Sequence, residues 1–139
     1  MTQEEKNLLL KDLLPRLQYG VKIQTWYGET ITSDLNTFPI GYDEIDIEQL
    51  AGMKPYLRPI SSMTEKEFKE LKNATDLNYN QLELVFWPDG SATLEFYLEE
   101  VPQYCIIHVF DWLNKNHFDY RGLITMGLAL ESTKDMYKI

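Results

Sequence analysis

The sequence is poor in cysteine and contains no long apolar run. Cys105 is the only cysteine among the 139 residues, so no intrachain disulfide can form, and no Cys/His spacing typical of a zinc site is present. The longest stretches without Asp, Glu, Lys or Arg are residues 101–110 and 122–130. Both are much shorter than the roughly 20 residues that cross a bilayer as a helix. The first six residues also lack the basic and apolar regions of a signal peptide. We therefore expect a cytoplasmic protein without a membrane partner.

Basic residues are scarce as well. The chain carries 13 Lys and Arg against 22 Asp and Glu, which gives a formal net charge of −9. Because binding to a phosphate backbone needs clustered Lys and Arg, we expect no direct nucleic-acid binding. Apolar residues make up 44% of the chain and aromatic residues 13%. This content is sufficient for the core of one domain that spans residues 1–139.

Two segments account for the excess negative charge. Residues 29–50 contain six acidic residues and residues 82–100 contain five, and neither segment contains a base. A surface that carries charge of one sign attracts a partner of the opposite sign. We therefore expect a protein partner with a basic surface, which contacts side chains of these two segments: Asp43, Glu44, Asp46, Glu48, Glu83 and Glu95.

Three segments have the pattern of a helix. Thr2 and Glu5 have the spacing of a capping box, and so do Thr64 and Glu67. The first segment carries leucines on one helical face, whereas the third is apolar over most of the helical circumference and is expected to be the most buried. The helices are predicted for residues 3–17, 64–72 and 102–115.

Alternating apolar and polar side chains predict two β-hairpins. In the first, residues 21–27 are followed by a two-residue turn at Gly28-Glu29 and a returning strand. In the second, residues 82–98 pair around a turn at residues 88–91, which has the sequence Pro-Asp-Gly-Ser. Glu83 and Glu95 then lie on the outer face of the second hairpin.

The remaining segments are predicted to be short or irregular. Residues 45–47 are expected to form a short, solvated edge strand, and residues 51–62 an irregular connection that contains Pro55 and Pro59. Residues 122–131 are expected to form a packed loop with a short strand. The predicted fold class is α+β: a single domain with an antiparallel sheet of hairpins and about three helices, mainly on one face.

Several strings of the chain are specific enough to be compared with known sequences. The most specific is His117-Phe118-Asp119-Tyr120-Arg121-Gly122-Leu123-Ile124, and others lie in residues 14–22, 54–64, 111–116 and 126–131. Together they resemble a family of small uncharacterised proteins from gut-anaerobe genomes and their phages or mobile elements. The resemblance implies a compact α+β domain and a mobile-element context, and it implies no activity and no catalytic residues.

One group of residues is a candidate for catalysis or metal binding. His108 and Asp111 are three positions apart on one helix, so their side chains can meet. His117 and Asp119 follow the helix end, and two histidines with two carboxylates form a ligand set for a divalent metal. The alternative is that His108 and Asp111 form an ordinary surface pair, and that His117 compensates the helix dipole. Arg121 is a further catalytic candidate, and it suits either carboxylate or phosphate recognition or a structural ion pair with Asp119 or another acid.

Two further patterns have simpler interpretations. Cys105 precedes His108 by three positions, as a Cys-His nucleophile pair would, but it lies on the apolar side of its helix and is expected to be a buried structural residue. The string Trp87-Pro88-Asp89 matches the acid loop of tyrosine phosphatases. The phosphate-binding Cys-x5-Arg motif of those enzymes is absent, and a hairpin turn is the better interpretation.

Two hypotheses of function follow. The first is a non-enzymatic interaction or accessory protein that needs no cofactor and binds a basic partner. The second is a small metal-dependent enzyme or ligand binder centred on the His108, Asp111, His117 and Asp119 region. The second hypothesis requires those side chains to converge in space.

Overall fold

The structure is a computed structural model that describes residues 2–33, 52–77, 81–97, 103–133 and 135–137. Three α-helices and seven β-strands form within these residues, and the predicted α+β class is confirmed. The chain divides into two compact units, the first formed by Met1–Leu57 with Arg121–Ile139 and the second by Arg58–Tyr120. The helices are α1 Gln3–Leu13, α2 Glu65–Thr75 and α3 Gln103–Lys115. The strands are β1 Lys22–Gln24, β2 Thr30–Thr32, β3 Lys54–Pro59, β4 Leu82–Phe86, β5 Ala92–Phe96, β6 Phe118–Asp119 and β7 Leu130–Glu131.

Helix α1 begins with the predicted capping box. The Thr2 side chain accepts from the Glu5 backbone N–H, and the Glu5 carboxylate accepts from the Thr2 backbone N–H. The α-helix ends at Leu13 rather than at the predicted residue 17, and residues Leu14–Tyr19 continue as a 3-10 helix. Pro15 explains the change, because it lacks the N–H that an α-helical bond would need and its ring clashes with the preceding turn.

The first unit contains a small mixed sheet. Strand β1 pairs antiparallel with β2 and with β3, and β3 pairs in parallel with β7 through Tyr56 opposite Leu130. The core beside the sheet is made of aliphatic side chains from α1, the strands and the C-terminal segment. Its buried members are Leu9, Leu13, Val21, Ile23, Met53, Leu57, Leu123, Leu128 and Ala129.

The prediction of an irregular connection over residues 51–62 is wrong. Most of that segment is strand β3, which is followed by a 3-10 turn at Ile60–Ser62. Prolines normally exclude a central strand because they cannot donate a ladder hydrogen bond. Here Pro55 lies near the start of the strand and Pro59 is its last residue, and buried and partly buried positions alternate between them. This alternation is the pattern of a strand, but the two prolines led to the prediction of an irregular segment.

The second unit combines helices α2 and α3 with the hairpin of β4 and β5. The hairpin is a two-stranded antiparallel sheet, and Arg58 and Pro59 of β3 pair in parallel with β6. The predicted sheet was antiparallel, whereas β3 pairs in parallel with β6 and β7. The prediction missed this pairing because it was made from hairpin turns, which connect only antiparallel strands. The core of this unit consists of Ile60, Met63, Leu71, Leu77, Leu82, Cys105, Val109, Leu113 and Phe118.

Two local predictions for the second unit are confirmed, the start of α2 and the second hairpin, whereas α2 continues to Thr75 beyond the predicted residue 72. Helix α2 begins at a complete capping box of Thr64 and Glu67, and the hairpin turns at residues 88–91. In the first unit β1 and β2 do form a hairpin, but its loop is wider than the predicted two residues. The backbone N–H of Thr25 donates to the Glu29 carbonyl, so the loop closes between these two residues. No helix in the described part of the chain is long and apolar enough to cross a membrane.

Candidate functional site

The β4–β5 hairpin separates an apolar face from a polar one. Leu82, Leu84, Leu94 and Phe96 belong to the second unit's core cluster or pack against it. Side chains of the alternate residues point the other way, because successive side chains of a strand lie on opposite faces. We call this second side the hairpin outer face, and it is formed by Glu83, Val85, Trp87, Thr93, Glu95 and Tyr97.

The turn holds the two strands of the hairpin in register. The backbone N–H of Trp87 donates to the Ser91 carbonyl at 2.9 Å, and the Asp89 carboxylate accepts from the backbone N–H and the hydroxyl of Ser91. These hydrogen bonds lower the pKa of Asp89. Gly90 has a φ of +89°, a conformation that glycine adopts without steric cost. The string Trp87-Pro88-Asp89 is therefore part of a hairpin turn, as its simpler interpretation predicted.

Two glutamates lie opposite each other on the hairpin outer face. Glu83 and Glu95 are direct partners in the β4–β5 register, and both are exposed. Like charges in directly opposite positions destabilise a sheet. The Tyr97 hydroxyl donates to Glu83 Oε2 at 2.5 Å. This hydrogen bond, together with the charges of Glu83 and Glu95, raises the pKa of Tyr97. The middle of the face is therefore a site of concentrated negative charge.

Aromatic rings flank the two glutamates. Trp87 is 46% exposed and Tyr97 is 44% exposed, and they lie at opposite ends of the hairpin outer face. The Trp87 indole N–H donates to the Thr93 hydroxyl at 2.9 Å, which fixes the ring against the outer face. Exposed aromatic faces attract Lys and Arg side chains through cation–π interactions. The combination of carboxylates with flanking rings suits the recognition of basic side chains.

Only part of the predicted acidic interaction surface can be placed. Glu83 and Glu95 lie on the hairpin outer face, as expected. The predicted edge strand at residues 45–47 and the other four interaction residues, Asp43, Glu44, Asp46 and Glu48, lie outside the described residues.

The structure gives no support to a common site of the predicted catalytic and metal-binding residues. His108 and Asp111 are exposed on α3, whereas His117 and Asp119 are buried after the helix end. Within the described ranges, no group of three or more His, Cys, Asp or Glu side chains is arranged to hold a metal ion. His108 and Asp111 lie on the outward face of α3. His117 precedes strand β6 and Asp119 belongs to it, and both are buried.

His117 has a structural position at the end of α3. Its φ is +65°, its backbone N–H donates to the Asn114 carbonyl, and its own carbonyl accepts from the Arg58 backbone N–H at 2.7 Å. Its backbone thus ends the helix and leads the chain into the pairing of β6 with β3. Cys105 is buried in the core cluster, as its structural interpretation predicted.

Arg121 forms an ion pair with Asp12, a partner that the sequence did not identify. Its Nε donates to Asp12 Oδ1 at 3.2 Å, across 109 positions of the chain. Asp12 also accepts from Arg16, with Nε to Oδ2 at 3.0 Å and Nη2 to Oδ1 at 3.1 Å, and both side chains of this pair are fully buried. The i, i+4 spacing of Asp12 and Arg16 was a visible signal, since such pairs meet on a helix. The prediction that Arg121 forms a structural pair with an acid agrees with this contact.

A second ion pair anchors α2 to β3 in the second unit. Arg58 binds Glu67 through two hydrogen bonds of 2.7 and 2.9 Å, and its guanidinium lies 4.2 Å from the centre of the Phe118 ring. Trp112 stacks on the same ring at 5.8 Å. Burial acts to raise the pKa of Glu67, but hydrogen bonds from Arg58 and Thr64 outweigh it and the pKa is lowered. These residues are engaged with one another, so their arrangement is that of a structural support.

Comparison with known proteins adds no assignment. The chain matches no protein-family model, no curated protein and no solved structure. The resemblance to small proteins of gut anaerobes and their mobile elements therefore stays a prediction.

Proposed function

We propose that this protein is a non-enzymatic interaction or accessory protein that binds a basic protein surface through the hairpin outer face. The observation that carries the proposal is the pairing of Glu83 with Glu95 in directly opposite positions. This arrangement is unfavourable for the hairpin alone. A Lys or Arg side chain from a partner would neutralise both carboxylates, so binding removes a repulsion that the free protein contains.

The flanking aromatic residues support the same kind of partner. Trp87 and Tyr97 are each exposed over nearly half of their surface. Tyr and Trp are enriched where proteins bind one another, because they combine a large apolar surface with a polar group. The rings can cover the aliphatic part of a Lys or Arg side chain while the glutamates bind its charge.

A peptide titration tests this proposal. The full chain is titrated with a blocked oligolysine peptide, and binding is followed by the amide chemical shifts of the protein. We expect the largest shifts at Glu83, Glu95 and Tyr97. The double substitution Glu83→Gln/Glu95→Gln should weaken binding by about tenfold, because both carboxylates of the site are lost.

A matched control separates a specific site from the general attraction of an acidic protein. Glu65 and Glu70 are exposed on α2, in the same unit as the hairpin. Glu65→Gln/Glu70→Gln changes the net charge by the same amount and should leave the affinity close to that of the unchanged protein. Equal weakening by the two double substitutions would contradict the proposal, because general charge attraction would then explain the binding.

The proposal includes the cellular setting expected from the sequence. A cytoplasmic location is supported by the single cysteine, which is buried in the second unit's core and has no intrachain partner. A phage or mobile-element context rests on the resemblance of residues 14–22, 54–64, 111–124 and 126–131 alone. Immunodetection of the protein in fractionated cells tests the location, and recovery in the membrane fraction would contradict it.

A further inference from the structure

The backbone of β4 has one side that pairs with β5 and one that does not. In an antiparallel pair, alternate residues exchange both of their backbone hydrogen bonds with the partner strand. The bonds from Tyr97 N–H to the Gln81 carbonyl and from Trp87 N–H to the Ser91 carbonyl set this alternation. The backbone N–H and C=O groups of Glu83 and Val85 therefore point toward β5, whereas those of Leu84 and Phe86 point away from it.

Among the described residues, the outward side of β4 is an open sheet edge. Within residues 81–97 and the other described ranges, the backbone groups of Leu84 and Phe86 that point away from β5 have no hydrogen-bond partner. The Phe86 side chain, at the end of the strand, is 60% exposed. Strand β5 lies against the 3-10 turn at Ile60–Ser62, but no described element other than β5 comes comparably close to the backbone of β4.

This edge lacks the features that usually prevent strand pairing. Proteins protect exposed edges with prolines, bulges, very short strands or several charged side chains. Strand β4 has no proline, its register with β5 is continuous over five residues, and Glu83 is its only charged residue. An apolar, regular edge of this kind is a template for an additional strand.

We propose that a basic partner segment adds to β4 as an extra strand of the hairpin sheet. The proposal rests on the function proposed above and specifies how the partner is bound. Every second side chain of the added strand would lie on the hairpin outer face, beside Glu83 and Trp87. The other side chains would lie beside Leu84 and Phe86 on the opposite face. The partner segment therefore alternates Lys or Arg with apolar residues.

Charge favours a basic partner over a second copy of this chain at the same edge. Pairing of β4 with β4 from another molecule would place additional glutamates on the face that already holds Glu83 and Glu95. Each chain also carries a net charge of −9. Both effects oppose self-pairing, whereas they attract a strand with Lys or Arg on the outer face.

The test uses a blocked peptide that alternates lysine with valine, titrated into the full chain by calorimetry. A second peptide has the same sequence but is N-methylated at the amides that would face β4. N-methylation removes the backbone donors and keeps every side chain and charge. We expect the first peptide to bind and the N-methylated peptide to bind about tenfold more weakly, because two or more backbone hydrogen bonds are lost.

Substitutions at Phe86 give the same test from the side of the protein. Phe86→Pro removes the outward N–H, and proline is tolerated at edge positions whose N–H faces solvent. Phe86→Ala removes the same side chain and keeps the N–H, so it is the matched control. We expect Phe86→Pro to bind the alternating peptide more weakly than Phe86→Ala. Circular dichroism shows whether each variant is folded. If Phe86→Pro does not fold, the comparison of the two peptides on the unsubstituted chain still tests strand addition.

The outcomes distinguish this inference from the proposed function. Equal binding of the two peptides, with both weakened by Glu83→Gln/Glu95→Gln, would overturn strand addition and leave the acidic site standing. Strand addition would also be overturned if the alternating peptide did not bind. The oligolysine titration would then test the acidic site independently. A concentration-dependent dimer that Phe86→Pro abolishes would assign the edge to a second copy and overturn the basic partner.

Discussion

Glu83 and Glu95 are direct cross-strand partners in the β4–β5 hairpin, so two like charges lie opposite each other on an exposed face. Such a pair weakens the hairpin. The Tyr97 hydroxyl donates to Glu83 and so stabilises one of the two carboxylates. Binding sites commonly retain interactions that are unfavourable for stability. The relationship between these two glutamates therefore leads to a prediction in which stability and binding change in opposite directions.

Glu95→Lys should stabilise the protein and impair its binding of basic peptides. The substitution replaces a repulsive cross-strand pair with an attractive one, which is worth about 0.2–1 kcal/mol in the free energy of unfolding. Urea denaturation measures the change. Glu70→Lys makes the same charge change on α2 and should leave the free energy of unfolding nearly unchanged. If Glu95→Lys lowers the stability, the repulsion inferred from the register is not present.

Asp12→Asn should destabilise the protein by about 3–5 kcal/mol in the free energy of unfolding. The buried Arg16 guanidinium and Arg121 both donate to the Asp12 carboxylate, and they would lose this negative charge. Chemical denaturation at neutral pH measures the loss. Glu4→Gln removes an exposed carboxylate from the same helix and serves as the control. A loss for Asp12→Asn no larger than that of the control would show that the ion pair is not needed.

Tyr137→Phe should cost about 1–3 kcal/mol in the free energy of unfolding, because two partly buried backbone groups lose their partner. The Tyr137 hydroxyl donates to the Tyr56 carbonyl at 2.6 Å and accepts from the Lys22 N–H at 2.9 Å. Tyr27→Phe, at an exposed ring, is the matched control. Similar thermal denaturation temperatures for the two variants would contradict this bridging role.

The same tyrosine should make stability depend on alkaline pH. Burial raises the pKa of Tyr137 from 10.0 to about 12. Because the folded-state pKa lies above the unfolded value, this contribution is fully present below pH 10 and is lost as the pH rises toward 12. Denaturation of the unsubstituted chain across this range should show the loss, and Tyr137→Phe should show less of it. Identical pH profiles would refute the assignment to Tyr137.

Glu67 should contribute to the loss of stability in acid. Burial alone would raise the pKa of Glu67, but hydrogen bonds from Arg58 and Thr64 lower it below 4.5. The contribution is therefore present above pH 4.5 and is lost as the pH falls through the folded-state pKa. Urea denaturation at a series of acidic pH values should show a smaller change for Glu67→Gln than for the unsubstituted chain. Glu70→Gln should keep the full pH dependence, and a reduced dependence in that control would count against Glu67 as the source.

Features formed by residues close in sequence were predictable. Both capping boxes join residues three positions apart, and the Asp89-Gly90 turn joins adjacent strands. The outward placement of Glu83 and Glu95 followed from the period of two in a strand. The end of α1 was misplaced because Pro15 allows the chain to continue as a 3-10 helix, and propensity alone does not separate the two helix types.

Four features could be predicted because each depends on the order of neighbouring residues: the α+β class, the helix starts, the second hairpin and the acidic character of its outer face. Three other features became visible only in the folded chain: Lys54–Pro59 is a strand, Arg121 binds Asp12, and His108 is exposed while His117 is buried. These features depend on contacts between distant parts of the chain, such as the 109 positions between Asp12 and Arg121. Local periodicity does not encode such contacts, because burial and pairing are determined by whichever element packs alongside.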